Sequence, residues 1–204
     1  MTPTDVLKSE HRVIEQVLNV LEKIGEKAGI EKKLDAESAE QAIDFLRNFA
    51  DRCHHGKEEH QLFPVLEERG FDRENGPTGV MCREHENGRD LIRGMAEAVA
   101  DAGKPCGTAP ERFASYARAY VEMLRVHINK EDHCLFAMAD RVLTDAEQRR
   151  LMEQFEKVEA VDMGEGTHER YLELANALAD RYGVPKTSDA TGHGAFACSH
   201  HHAH

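Results

Sequence analysis

Residues 54–63 read HHGKEEHQLF and residues 127–136 read HINKEDHCLF, with six of the ten positions identical. A chain that writes a histidine-rich decamer twice must give both copies equivalent surroundings, and the flanking pattern says what those are. Leu7, His11, Ile14, Leu18 and Leu21 recur at spacings of three and four. So do Met81, His85, Gly88, Ile92, Met95 and Val99, and Tyr120, Leu124, His127, Glu131, Cys134 and Met138. This is the stripe of an amphipathic helix, and a histidine stands on it each time. Around the first decamer Ile43, Ala50, His54, Glu58 and Val65 lie near one face. Four such helices with short breaks predict an all-α, up-down-up-down four-helix bundle.

Thr4 is placed to cap a first helix ending near Ala28, followed by the linker EKAGIEKKLD. The second helix should run from about Ala36 to Arg69, the third from Pro77 to about Ala102 and the fourth from Pro110 to about Arg141. Thr144 and Glu147 have the capping-box spacing, so a fifth helix begins there. It breaks near Gly164 and Gly166 and resumes from about Thr167 to Tyr182. The expected organisation is a bundle at 1–142, a helical extension packed on it at 143–182, and a flexible His-rich tail at 183–204.

The net charge of −12 opposes binding to nucleic acid or to an anionic membrane surface, because either needs a basic patch. No apolar run approaches the ~20 residues of a membrane span, and MTPTDVLKSEH lacks the regions of a signal peptide. A cytoplasmic location is therefore expected. Five cysteines without a CxxC pair suit free thiols better than a disulfide framework.

Four imidazoles and two carboxylates facing one core would each cost several kcal/mol without partners, if charged. A metal supplies those partners, since neutral imidazole and carboxylate suit iron, manganese or zinc. His54 with Glu58, and His127 with Glu131, lie one helical turn apart on a shared face. Two such pairs on facing helices make a two-metal site. With both glutamates bridging, four imidazoles and one oxo or hydroxo bridge leave about two positions open for an external ligand, unlike a closed structural zinc. His55 and Glu59 share the spacing of His54 and Glu58, but the repeat aligns His54 with His127 and His55 with Ile128, which selects the first pair. His60 and His133 fall farther round their helices and are expected at the surface or behind the ligands.

With Glu10-His11, the first decamer, Arg83-Glu84-His85 and the second decamer in this order, the chain resembles the hemerythrin-like, or HHE cation-binding, family of four-helix bundles. The resemblance implies a carboxylate-bridged pair of non-haem irons, with manganese or zinc as substitutes, held by His11, His54, Glu58, His85, His127 and Glu131. It implies a small diatomic or peroxide ligand (O2, NO or H2O2), an electron donor not named by the sequence, and a place in oxidative or nitrosative stress. Oxygen carriers of the family have a fifth histidine, typically from an HxxxH pair in the third helix. Here the flanking positions are Met81 and Arg89, which moves the expectation from oxygen storage to consumption of peroxide or nitric oxide. Metal storage or trafficking, or ligand sensing without turnover, are the alternatives.

Three features outside the repeat bear on this. His168 and Glu169 head the resumed fifth helix and are candidates for a further ligand or a gate. The tail GHGAFACSHHHAH could take up nickel, copper or zinc. Cys53 and Cys134 lie close enough to the ligands to act as oxidisable thiols, and Tyr120 is expected to pack in the core.

Overall fold

The first helix starts two residues earlier than expected, because Thr2 rather than Thr4 caps it. The Thr2 hydroxyl accepts from the Asp5 amide, the Asp5 carboxylate accepts from the Thr2 amide, and Pro3 fills the first turn, where its missing N–H is harmless. Helix α1 (Pro3–Glu31) then runs into the first part of the expected linker and ends at Lys32, whose backbone is left-handed (φ 54°). This is a computed structural model describing residues 1–104, 107–164 and 166–188, save the side chain of Asp162. The predicted tail, with its histidines and Cys198, lies outside the described residues from 189 onward, as does Cys106.

Asp35 caps α2 (Ala36–Phe45), which continues unbroken through the π-helical stretches Leu46–His55 and Glu58–Leu62 into α3 (Phe63–Glu68). Then come α4 (Pro77–Ala100) and α5 (Ala109–Lys130), the latter passing through a π-helical turn, Glu131–Leu135, into α6 (Phe136–Val142). The predicted capping box of Thr144 and Glu147 opens α7 (Asp145–Lys157), a π-helical stretch covers Val158–Gly164, and α8 (Thr167–Tyr182) ends at Gly183. No strand occurs among the described residues, and none of their helices is long and apolar enough to cross a membrane.

The decamers share backbone geometry as well as letters. In each, the turn after the glutamate widens by one residue: Phe63 N–H donates to the Glu58 carbonyl, and Phe136 N–H to that of Glu131. The extra residue advances the inward face by one position beyond that point. The stripe expected through Val65, and through Cys134 and Met138, instead buries Leu66, and Leu135 and Ala139; Cys134 is exposed.

Helix α1 packs on α5 and α8, α4 on α5, and α2 on α4 and α8. The buried side chains form two apolar clusters. Along α1, Leu7 belongs to one and Ile14 to the other; along α4, Met81 and Ile92 divide in the same way, and along α5–α6, Leu135 and Leu124. His11, His85 and His127 fall between these pairs, so the histidines occupy a polar layer between two apolar ones. Tyr120 packs in the larger cluster, as expected.

Close approach of α4 to α5 depends on Gly94, where a Cβ would come within 2.6 Å of the Tyr116 ring. Gly94→Ala is expected to destabilise by about 1–3 kcal/mol through overpacking. An unchanged urea midpoint would show that Tyr116 yields without cost.

Candidate metal centre

The six side chains expected to converge do so, and a seventh joins them. His11 comes from α1, His54, His55 and Glu58 from the stretch linking α2 to α3, His85 from α4, His127 from α5, and Glu131 from the turn after it; all are buried. Their ligating atoms form two groups, each within a 4.8 Å span. One comprises His11, His54, Glu58 and Glu131; the other comprises His55, Glu58, His85 and His127. Glu58 belongs to both: Oε1 lies 3.6 Å from His54 Nε2 and Oε2 lies 3.5 Å from His85 Nε2. Glu131 Oε2 is 3.3 Å from His11 Nε2 and 3.1 Å from His127 Nε2, while Oε1 is 3.9 Å from His85 Nε2.

His55 is the residue that sequence reasoning passed over. Its ring stacks on His85 with centroids 3.8 Å apart, and meets His127 edge-on at 5.8 Å. A regular α-helix turns ~100° per residue and sends adjacent side chains to different faces. The π-helical winding of Leu46–His55 turns less per residue, so His54 and His55 both point inward. The HH doublet was the available signal. Comparison with the second decamer hid it, because Ile128 stands at the matching position.

Behind the centre, every histidine presents Nδ1 to a carboxylate. His11 meets Asp132 (2.7 Å), His54 meets Glu10 (2.9 Å), His85 meets Glu59 (2.6 Å), His127 meets Glu84 (3.0 Å) and His55 meets Asp51 (3.3 Å). Such a partner fixes the tautomer and leaves Nε2 to a metal. Four of these acids are sequence neighbours of a central residue yet serve a histidine on another helix: Glu10 beside His11, Glu59 beside Glu58, Glu84 beside His85, Asp132 beside Glu131. Cations neutralise the acids in turn. Arg12 pairs with Asp132, Lys57 with Glu10, Arg89 with Asp51 and Glu59, and Lys130 with Glu84. Arg89 thus stands in the outer layer rather than in place of an absent ligand.

An approximate two-fold relation runs through the whole arrangement. Glu10, His11, His54, Lys57, Glu58, Glu59, Phe63 and Leu66 correspond to Glu84, His85, His127, Lys130, Glu131, Asp132, Phe136 and Ala139. Phe136 stacks on His11 as Phe63 stacks on His85. His55 against Ile128 breaks the relation in the centre itself.

The donor set fits a pair of metal ions. Buried side-chain atoms without a hydrogen-bond partner, among the described residues, are His11 Nε2, His54 Nε2 and both oxygens of Glu58 and of Glu131, all of them central. Left so, each costs about 1–3 kcal/mol, a sum comparable with the 5–15 kcal/mol of a whole domain. Burial and the neighbouring histidines lower His54 to about 4 and His85 to about 3, and burial lowers His55, which keeps these imidazoles neutral. Against burial, Glu131 and then Glu84 raise His127 to about 9. Burial and the Glu131 carboxylate push Glu58 well up, whereas His127 and His11 overcome burial to hold Glu131 ionised. Without a cation the two carboxylates cannot share the site as equals; a pair of cations removes the conflict.

The remaining expected residues lie elsewhere. His168 belongs to neither central group; its Nε2 is 3.8 Å from Glu10 Oε1 and its ring 5.2 Å from Phe49. Glu10, Glu159 and His168 lie close enough to hold an ion, but the Lys57 ammonium already bonds both carboxylates there. Glu169, His60 and His133 are exposed. Cys53 is buried, and burial followed by the Glu10 charge pushes its thiol up to about 12, which leaves little reactive thiolate.

Comparisons with known proteins agree with this geometry. Residues 2–139 match the model of the hemerythrin HHE cation-binding domain. Uncharacterized proteins of Mycobacterium bovis and of two strains of Mycobacterium tuberculosis are each 24% identical over 189 residues, covering 93% of this chain and 73% of theirs. That coverage carries the likeness past residue 139 into the C-terminal helices. No solved structure matches the chain. With the family model spanning the seven converging residues and well over half the sequence, the chain belongs to the hemerythrin HHE cation-binding family.

Proposed function

We propose that this protein holds two iron ions in a carboxylate-bridged centre, within four helices that alternate in direction, and that the centre binds or reduces a small oxidant: O2, NO or H2O2. The observation carrying this reading is the pair of four-residue donor groups that share Glu58, one of which, His11, His54, Glu58 and Glu131, holds all the partnerless buried atoms. His11 and His54 would hold one ion and His55, His85 and His127 the other, with Glu58 and Glu131 between them. Bound there, an iron pair supplies electrons and Lewis acidity for capture or reduction of the oxidant.

The chain's own residues set where an oxidant enters. Two imidazoles face one ion and three the other, and the position matching His55 is the buried Ile128. With Glu58 and Glu131 both shared between the ions, the side of His11 and His54 has one imidazole fewer and leaves room for an external ligand. The fifth imidazole removes the reason to prefer oxidant consumption over reversible oxygen binding, so the proposal covers both.

Metal analysis and absorption spectra of protein purified without a nickel column test the reading. Two irons per chain and near-ultraviolet bands of an oxo-bridged pair are expected; a single zinc, or no metal, would overturn it. His54→Ala and His55→Ala are each expected to lose one ion of the pair, leaving different residual spectra. Catalytic loss of added peroxide would mark an enzyme, and stoichiometric bleaching a binding protein.

A further inference from the structure

The outer layer breaks the two-fold relation at one more place. Lys57 and Lys130 correspond, and each pairs with the acid that orients a central histidine: Lys57 with Glu10 behind His54, Lys130 with Glu84 behind His127. Lys130 is 36% exposed, but Lys57 is wholly buried. What covers it is the C-terminal helices, which lie beyond the family match at residue 139. Glu159, from the π-helical stretch Val158–Gly164, places Oε1 2.5 Å from Lys57 Nζ, and the Phe155 ring lies 5.7 Å from the same nitrogen. Gly164 and Gly166 adopt positive φ, 90° and 74°, just before α8, whose His168 lies 3.8 Å from Glu10.

We propose that Glu159 is a positioning residue for the metal centre: through Lys57 and Glu10 it fixes the imidazole of His54. Docking of the C-terminal helices thereby sets how tightly the side of His11 and His54 holds its ion. This rests on the two-metal reading above. The connection is one continuous line of contacts, Glu159 to Lys57 to Glu10 to His54 Nδ1. Among the described residues, its counterpart, Lys130 to Glu84 to His127 Nδ1, has no such lever. The C-terminal helices thus control the side that the donor count leaves open, and a partner that drew them away would loosen that ion alone.

Cobalt(II) titration of the full chain tests this, since the visible bands of cobalt(II) report ligand number and geometry. Wild type is expected to take up two ions. Glu159→Gln is expected to weaken one of them about tenfold, the scale for removing an outer partner of a metal-bound histidine. The residual one-ion spectrum should match that of His54→Ala rather than His55→Ala. Glu159→Asp, which keeps the charge on a shorter arm, should fall between Glu159→Gln and wild type. Equal weakening of both ions, no weakening, or a residual spectrum like that of His55→Ala would overturn the inference while the metal reading stands. A wild type that takes up no pair of ions would overturn both.

Discussion

Glu58→Leu is expected to make the metal-free protein more stable and at the same time unable to hold its metals. Glu58 is fully buried, neither oxygen has a hydrogen-bond partner, and burial with the Glu131 charge pushes its carboxyl well up. Replacing a buried polar group that has no partner with an apolar side chain of similar volume relieves a cost of about 1–3 kcal/mol. At about 2–4 °C per kcal/mol for a chain of this size, the apo melting temperature should rise by several degrees. Because Glu58 belongs to both groups of ligands, both ions should be lost or greatly weakened. In excess metal the ranking should invert, since ligand binding stabilises only the protein that retains the site. A variant that melts below wild type without metal, or one that still binds two ions, would show that the carboxylate has partners the geometry does not reveal.

Lys57→Met should be strongly destabilising, although Lys57 lies outside the central seven. It leaves Glu10 buried at 4% exposure without its cation, and removing one member of a buried ion pair costs about 3–5 kcal/mol. A fall in melting temperature of roughly 10 °C is expected. Lys130→Met removes the corresponding lysine of a partly exposed pair and should cost ~1 kcal/mol or less. Thermal melts of the two variants side by side decide the matter: equal losses would mean that the covering by Glu159 and Phe155 adds nothing.

Much of this was legible in the sequence, for identifiable reasons. Spacings of three and four placed Leu7, His11, Ile14, Leu18 and Leu21 on a buried face of α1, because α1 is a regular helix. The same logic failed at Val65, Cys134 and His55, all within or beyond π-helical winding, where the period that supports the inference no longer holds. Four of the five outer acids were present as the doublets Glu10-His11, Glu58-Glu59, Glu84-His85 and Glu131-Asp132. Their roles were hidden because each acid serves a histidine on a different helix. The link from Lys57 to Glu159 joins positions far apart in the chain and leaves no local pattern to read. His168, a candidate for a further ligand or a gate, lies beside Glu10 and Phe49, behind the ligands.

The cross-serving of histidines by acids from other helices has a kinetic consequence. A helix that carries one of these acids cannot open without disturbing the support of a ligand elsewhere: fraying α1 frees Glu10 from His54, and opening α4 frees Glu84 from His127. While the C-terminal helices stay docked, escape of a bound ion therefore calls for a cooperative opening of the ligand-bearing helices rather than the fluctuation of one side chain. Exchange of the metal pair should track slow hydrogen exchange of the central amides, so that the lifetime of the loaded state is an unfolding lifetime.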